Sequence, residues 1–270
     1  MSSVPGDEPA RLDAAMVARG LARSRTTAAR LIADGLVSVD GSTVIKASVR
    51  VLASQSIEVA TSDHYVSRAA HKLIAALDAF PVSVDGAVAL DVGASTGGFT
   101  QVLLERGARR VIALDVGHAQ LHTLVRSDDR VAVVEGFNAR YMTAETLAGA
   151  SGVEEKPTVI VADLSFISLP TVLPALVASV GTDADFILLV KPQFEVGRTG
   201  IKEGIVRTSA LRAEAIMGVL WAAWDQGLST AGLIPSPIVG TSGNHEFVAW
   251  LSASAGSNPT DWRARVDEIA

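Results

Sequence analysis

Residues 89–100 read ALDVGASTGGFT. An apolar run ends at Asp91 and passes at once into three glycines, Gly93, Gly97 and Gly98. A buried strand, a glycine-rich turn and an apolar-periodic helix in that order make the first unit of a doubly wound α/β sheet. In such sheets ligands bind beyond the carboxyl ends of the strands. The glycines therefore ask for one of two things, a tight turn or a close approach of something to the backbone.

The spacing D-x-G-x-x-x-G-G lacks the G-x-G-x-x-G of a dinucleotide pyrophosphate site, which weighs against a nicotinamide dehydrogenase. A second acid, Asp115, closes the next apolar run in VIALDVG, where a carboxylate can accept hydrogen bonds from ribose hydroxyls. Room for a nucleoside and an uncharged or zwitterionic tail, together with that acid, points to S-adenosyl-L-methionine as cofactor.

Working outward, apolar runs predict strands at 87–92, 110–115, 131–135, 158–162, 185–190, 229–235 and 246–252. Helical periodicity predicts helices at 66–80, 97–106, 118–126, 143–148, 169–179 and 208–226. Near-continuous apolar strands separated by helices imply a parallel sheet covered on both faces. Ahead of this lies a smaller α+β module: helices over 11–20 and 25–34, with Ser24 as N-cap of the second. A strand–Asp-Gly–strand hairpin in GLVSVDGSTV and a further strand over 49–60 complete it. The fold class is thus α/β, a Rossmann-like sheet with a small N-terminal α+β domain. Its division is 9–60, a polar linker at 61–66, the sheet domain at 67–253 and a tail at 254–270. Trp262, Val266 and Ile269 in the tail fit a short docking helix.

Apolar residues make up 49 % of the 270-residue chain, enough for a sizeable core. The absence of cysteine excludes disulfides, thiolate metal sites and cysteine nucleophiles, and fits a cytoplasmic protein. The start MSSVPGDEPARLD has no apolar core and is not a signal peptide. The apolar stretch 159–180 is interrupted by Asp163, Pro170 and Pro174, so no membrane span is expected. The net charge of −6 argues against indiscriminate nucleic-acid binding. Residues 11–50 nevertheless carry Arg11, Arg19, Arg23, Arg25, Arg30, Lys46 and Arg50 against Asp13, Asp34 and Asp40. This local excess of positive charge is a candidate phosphate-contacting face, with a solvated helix face as the bland alternative.

Lys72, Asp163, Lys191 and Glu246 fall in the helix before the sheet or at strand ends, where the site should be. Taken singly each has an ordinary reading: a solvated lysine, a helix cap, a strand end, an edge charge. Asp163 is followed by Leu164-Ser165-Phe166 and not by the prolines of amino-group methyltransferases, and pyrimidine-carbon methylation commonly needs a cysteine. A hydroxyl acceptor remains, whose high pKa calls for a base or charge stabilisation. Lysines and acids together suit that task. His118 and His122 lie four apart, but no third ligand accompanies them and no metal is expected.

The motifs SRAAHKL, LDVGASTGGFT, VADLSFISL, LVKPQFEVG and SGNHEF resemble those of the TlyA (hemolysin A) family of ribosomal RNA 2′-O-methyltransferases. Residues 11–59 resemble the S-four RNA-binding domain, so the likeness covers nearly the whole chain. The family's methyltransferase half is similar to the FtsJ heat-shock RNA methyltransferases with their Lys-Asp-Lys-Glu tetrad. By motif the resemblance implies Lys72, Asp163, Lys191 and Glu246 as catalytic, with Lys191 deprotonating a cytidine 2′-hydroxyl of ribosomal RNA. It implies a cofactor site of Asp91, Gly93, Ala94, Ser95, Thr96, Gly97, Gly98, Phe99, Asp115, Val116, Asn138, Asp163 and Phe166. It implies RNA contacts by Arg11, Arg19, Arg23, Arg25, Arg30 and Arg68, and ribosomal subunits as partner. Large-subunit RNA is the expected target. Small-subunit activity is left open, because the N-terminus here is acidic until Arg11 and the linker reads Asp63-His64-Tyr65-Val66 where some members have Arg-x-Trp-Val. The oligomeric state is also open. An RNA-binding protein with a silent methyltransferase half and a membrane-active lysin are the alternatives. The loop 195–207, glycine-rich and basic on balance, is a candidate lid or RNA contact.

Overall fold

The computed structural model describes residues 9–33, 35–59, 64–197, 201, 204–240 and 243–270. The chain forms two compact units, the smaller comprising residues up to Arg68 and the larger Ala69–Gly240 with Asn244–Ala270.

The smaller unit runs β1 (Ala10–Arg11), α1 (Leu12–Ala18), α2 (Arg25–Ala33), β2 (Val37–Val39), β3 (Ser42–Thr43), β4 (Arg50–Val51) and β5 (Ile57–Val59). Strand β2 pairs antiparallel with both β3 and β5, and β1 pairs with β4. The hairpin turns on Asp40 and Gly41, both at positive φ, the two-residue geometry whose twist matches its strands. Ser24 caps α2 as expected, its Oγ accepting from Thr27 N at 3.1 Å. Leu12, Met16, Ala28, Ile32, Val37 and Val51 close the core. The strand expected over 49–60 is two short strands, β4 and β5, parted by a turn in which Gln55 Oε1 accepts from Leu52 N.

The larger unit runs α3 (Ala70–Ala79), β6 (Val88–Val92), α4 (Gly98–Glu105), β7 (Arg110–Leu114), α5 (Thr123–Arg126) and β8 (Val131–Val134). It continues with α6 (Ala144–Ser151), β9 (Val159–Ala162), α7 (Leu169–Val180), β10 (Asp185–Val190) and α8 (Pro192–Glu195). It ends with α9 (Ser209–Trp224), β11 (Ser229–Pro235), β12 (Phe247–Ser252) and α10 (Arg263–Ile269). The seven strands lie in the order β11-β12-β10-β9-β6-β7-β8. The chain builds outward from β6 to β8, then returns to the other side of β6 with β9. The crevice between β6 and β9 is the switch point at which such sheets bind ligands.

The expectation of a purely parallel sheet is corrected. β12 runs antiparallel between β10 and β11. All six residues of β12 are buried, so its sequence shows the same unbroken apolar run as its parallel neighbours, and direction is invisible in it. The helix expected over 118–126 shortens to α5, because Asp115 Oδ1 takes Gly117 N and Ala119 adopts φ 55°, while His122 Nδ1 caps Leu124 N. The tail forms α10, whose Val266 is fully buried in the main core with Trp262 and Ile269 packed beside it.

Candidate active site

The glycine loop leaves β6 at Asp91. Gly93 has φ 85°, and a Cβ there would meet the Asp163 carbonyl at 2.9 Å. Gly97 has φ 96° and would meet Leu121 and Val125. These glycines are required by the chain itself, since the segment after β6 passes in contact with the loop after β9 at Gly93 and with the segment after β7 at Gly97. The face left open belongs to Ser95 and Thr96, both exposed, whereas Ala94, Gly97, Gly98 and Phe99 are buried. Asp115, half-buried at the end of β7, ties the loops together: Oδ2 accepts from Ser95 N at 2.8 Å and Oδ1 from Gly117 N at 2.7 Å. Val116 beside it is exposed, and Asn138 caps the turn after β8 by accepting from Arg140 N. Among the described residues, three of the four non-glycine residues with positive φ, Ser95, Ala119 and Phe166, sit in the loops after β6, β7 and β9. Backbone strain of this kind gathers at functional sites.

Asp91, a candidate of the cofactor site, is fully buried. Its Oδ2 accepts from Thr100 Oγ1 of α4 at 2.6 Å, and Oδ1 has no hydrogen-bond partner among the described residues. Burial, with the nearby Asp163 and Asp115 charges adding to it, pushes this carboxyl up to about 7 despite the Thr100 bond.

On the other side of the crevice the structure brings Lys72, Asp163, Lys191 and Glu246 together from four elements. Lys72 Nζ donates to Glu246 Oε2 at 2.7 Å and to Asp163 Oδ2 at 3.3 Å. Lys191 Nζ lies 2.6 Å from Asp163 Oδ1, a close ion pair off the line of an aligned hydrogen bond, and donates to Ser165 Oγ at 3.0 Å. The charges alternate along a chain, Glu246–Lys72–Asp163–Lys191. No side chain in it is more than 15 % exposed. Buried charges persist only when paired, and here two ammonium and two carboxylate groups balance. Burial pushes the Asp163 carboxyl up, but Lys72 and Lys191 more than offset this and hold it below its ordinary value. Lys72 is gripped by two carboxylates. Lys191 ends the chain with one, and faces the Phe194 ring at 5.9 Å. Phe166 stands 92 % exposed next to it, its ring 5.3 Å from that of Phe194.

Sequence reasoning passed over Ser165, Gly240 and Asn244. Ser165 was legible only as part of the Asp-Leu-Ser-Phe loop. Gly240 leaves the space the Glu246 carboxylate fills, for a Cβ there would meet Glu246 Oε1 and, at 2.8 Å, Cδ. Nothing local in the sequence marks that contact.

Among the expected RNA-contacting arginines, Arg11 and Arg25 are tied to the buried Asp13, at 3.1 and 2.9 Å. Arg19 donates to the carbonyls of Leu52, Ala53 and Gln55. Arg68 lies against Gly35. Arg23 and Arg30 are exposed and carry no hydrogen bond or ion pair among the described residues. The acidic start before Pro9, the linker residue Asp63, and Arg198, Lys202 and Glu203 of the expected lid lie outside the described residues. Among the described residues no cluster of His, Cys, Asp and Glu is able to hold a metal, and no helix is long and apolar enough to cross a membrane.

A mixed seven-stranded sheet with its loops open at the switch point, joined to a small S4-like unit, defines the class: a Rossmann-like methyltransferase with an RNA-binding module. Residues 65–253 match the FtsJ-like methyltransferase family, and residues 10–57 match the S4 domain. The chain is 48 % identical over 245 residues to the 16S/23S rRNA (cytidine-2′-O)-methyltransferase TlyA of Mycobacterium tuberculosis, covering 90 % of this chain and 89 % of that protein. It is 36 % identical over 188 residues to the 23S rRNA (cytidine-2′-O)-methyltransferase TlyA of Campylobacter jejuni, covering 69 % and 70 %. A solved structure of a hemolysin-named protein from Streptococcus thermophilus superposes with a TM-score of 0.74 at 37 % identity, over 97 % of this chain and 94 % of that one. The chain belongs to the TlyA family of FtsJ-like methyltransferases.

Proposed function

We propose that the protein transfers the methyl group of S-adenosyl-L-methionine to the 2′-hydroxyl of a cytidine ribose in ribosomal RNA, in the cytoplasm where ribosomes are made. The observation that carries this is the buried chain Glu246–Lys72–Asp163–Lys191 at the switch point of a TlyA-family fold. The residues across the crevice fit the cofactor. Asp115 keeps lone pairs free for two ribose hydroxyls after accepting from Ser95 and Gly117. The first amides of α4, after the left-handed Gly97, suit a carboxylate. The cofactor when bound supplies an electrophilic methyl carbon on a sulfonium.

The chain's own residues do the rest. Lys191, at the end of the charge chain, takes the 2′-hydroxyl proton once its own ammonium proton has passed to solvent, which leaves the ribose oxygen able to accept the methyl group that the bound cofactor would supply, the electron pair of the broken methyl–sulfur bond remaining on sulfur. Asp163 holds Lys191 in place by its charge, and Ser165 Oγ accepts a hydrogen bond from it. Lys72, itself held by Glu246, joins Lys191 in keeping Asp163 ionised. Phe166, which the resemblance implies for the cofactor pocket, is 92 % exposed. An exposed ring beside the base is a stacking surface for a nucleobase, worth about 1–3 kcal/mol. Arg23 and Arg30 carry the phosphate contacts of the smaller unit, which register the enzyme on its RNA without reading sequence.

The test incubates purified protein with labelled S-adenosyl-L-methionine and unmethylated large or small subunits, wild type beside Lys191→Ala. Label in the large subunit that is lost in the variant supports the reading. Label in both subunits extends it to the small one. Cofactor binding with no label in either overturns the catalytic reading in favour of an RNA-binding module.

A further inference from the structure

The SGNHEF motif contributes more than Glu246. Asn244, two residues earlier, is 2 % exposed and its side-chain amide is used at both ends. Nδ2 donates to the Gly204 carbonyl at 2.8 Å, and Oδ1 accepts from Val206 N at 3.1 Å. Gly204 and Val206 belong to the segment that follows α8, and so to the stretch of chain leaving Lys191. Through its backbone carbonyl Asn244 also accepts from Gly240 N at 2.8 Å. Gly240 is the residue whose missing side chain leaves room for the Glu246 carboxylate. One residue therefore stitches the strap downstream of Lys191 to the turn that delivers Glu246 to Lys72.

We propose that Asn244 is a positioning residue for methyl transfer. It clamps the Gly204–Val206 strap to Gly240 and to the chain entering β12, and thereby sets Glu246 against Lys72. The amide is suited to this because it offers one donor and one acceptor in a peptide-like arrangement. Aspartate keeps the acceptor for Val206 N but turns an oxygen towards the Gly204 carbonyl, and leucine offers neither. The strap is held from its other side by Arg212, whose Nη1 donates to the carbonyls of Val206 and Arg207 at 3.3 and 3.2 Å. Losing Asn244 thus frees one edge of the strap and not the whole of it. A displacement of Glu246 by an ångström reaches Lys191 through Lys72 and Asp163, and misplacement on that scale costs about a hundredfold in rate.

This rests on the proposed reaction, so the test has one arm that needs no activity. Hydrogen exchange is followed in wild type, Asn244→Asp and Gly240→Ala, together with kcat, KM for the RNA and cofactor Kd. The expected result for Asn244→Asp is faster exchange confined to residues 204–207 and 236–246. Its kcat falls about a hundredfold, with KM and Kd near wild type. Gly240→Ala, which crowds Glu246 without touching the strap, lowers kcat while Val206 stays protected. If Asn244→Asp exchanges like wild type, the clamp is refuted even should the wild type prove inactive. If exchange rises across β11 and β12 alike and kcat, KM and Kd worsen together, Asn244 is a folding residue and the positioning role is wrong.

Discussion

Asp91 lends itself to a quantitative test. Its carboxyl is fully buried, holds one hydrogen bond from Thr100 and leaves Oδ1 without a hydrogen-bond partner among the described residues, and is pushed up to about 7 from 3.8. Between those two values the folded chain holds a proton that the unfolded chain has released. Stability therefore falls as pH rises through this window, at about 1.4 kcal/mol per pH unit, and the contribution present below 3.8 is lost by the time pH passes 7. Asp91→Asn keeps an acceptor for Thr100 and replaces the ionisable oxygen with a neutral amide. Relative to that variant the wild type should lose about 3 kcal/mol between pH 5 and pH 8. All four tryptophans, Trp221, Trp224, Trp250 and Trp262, lie in the larger unit, so urea unfolding followed by their fluorescence reports that unit alone. The comparison is made without cofactor. A difference between the two proteins that stays constant from pH 5 to pH 8 would show that Asp91 ionises as an ordinary carboxyl, and the burial argument would fail.

Other expectations are simpler. Asp163→Asn leaves Lys72 and Lys191 short of a buried counter-charge and should cost about 3–5 kcal/mol by urea denaturation, along with all methyl transfer. An unchanged midpoint would mean the charge chain is not closed in solution. Ser24→Ala should remove about 1 kcal/mol from the smaller unit without altering cofactor binding, measured by amide exchange in α2. Arg23→Ala and Arg30→Ala should each reduce the salt dependence of RNA binding by about one ion with the fold intact. Arg25→Ala should instead destabilise the smaller unit, because it strips a partner from Asp13, whose carboxyl the arginines hold at about 2. Equal effects from all three would place Arg25 on the RNA rather than in the fold.

Much of this molecule is local and was legible as such. Continuous apolar runs and period-3.6 patterns depend only on which faces a segment buries, and the runs placed the strands of the larger unit to within a residue or so. The Asp-Gly hairpin and the Ser24 cap are likewise set by residues within four positions of each other. Asp115 at its strand end and the glycines after Asp91 marked the crevice, and motif resemblance marked Lys72, Asp163, Lys191 and Glu246 one by one. What the sequence could not reveal is how these meet. Lys72 and Glu246 touch across 174 residues of chain, and their contact depends on β12 entering the sheet antiparallel beside β10. A strand buried on both faces carries no mark of its direction, because every position is apolar whichever way it runs. The glycines, too, changed meaning. Gly93 and Gly97 clear space for Asp163, Leu121 and Val125, and Gly240 for Glu246, which is a matter of three-dimensional packing added, at Gly93 and Gly97, to the positive φ of the turn. Residue types and periodicity thus determined the elements and the chemistry available. Only tertiary packing decided which charges are buried together, because burial and pairing arise between segments that no local pattern connects.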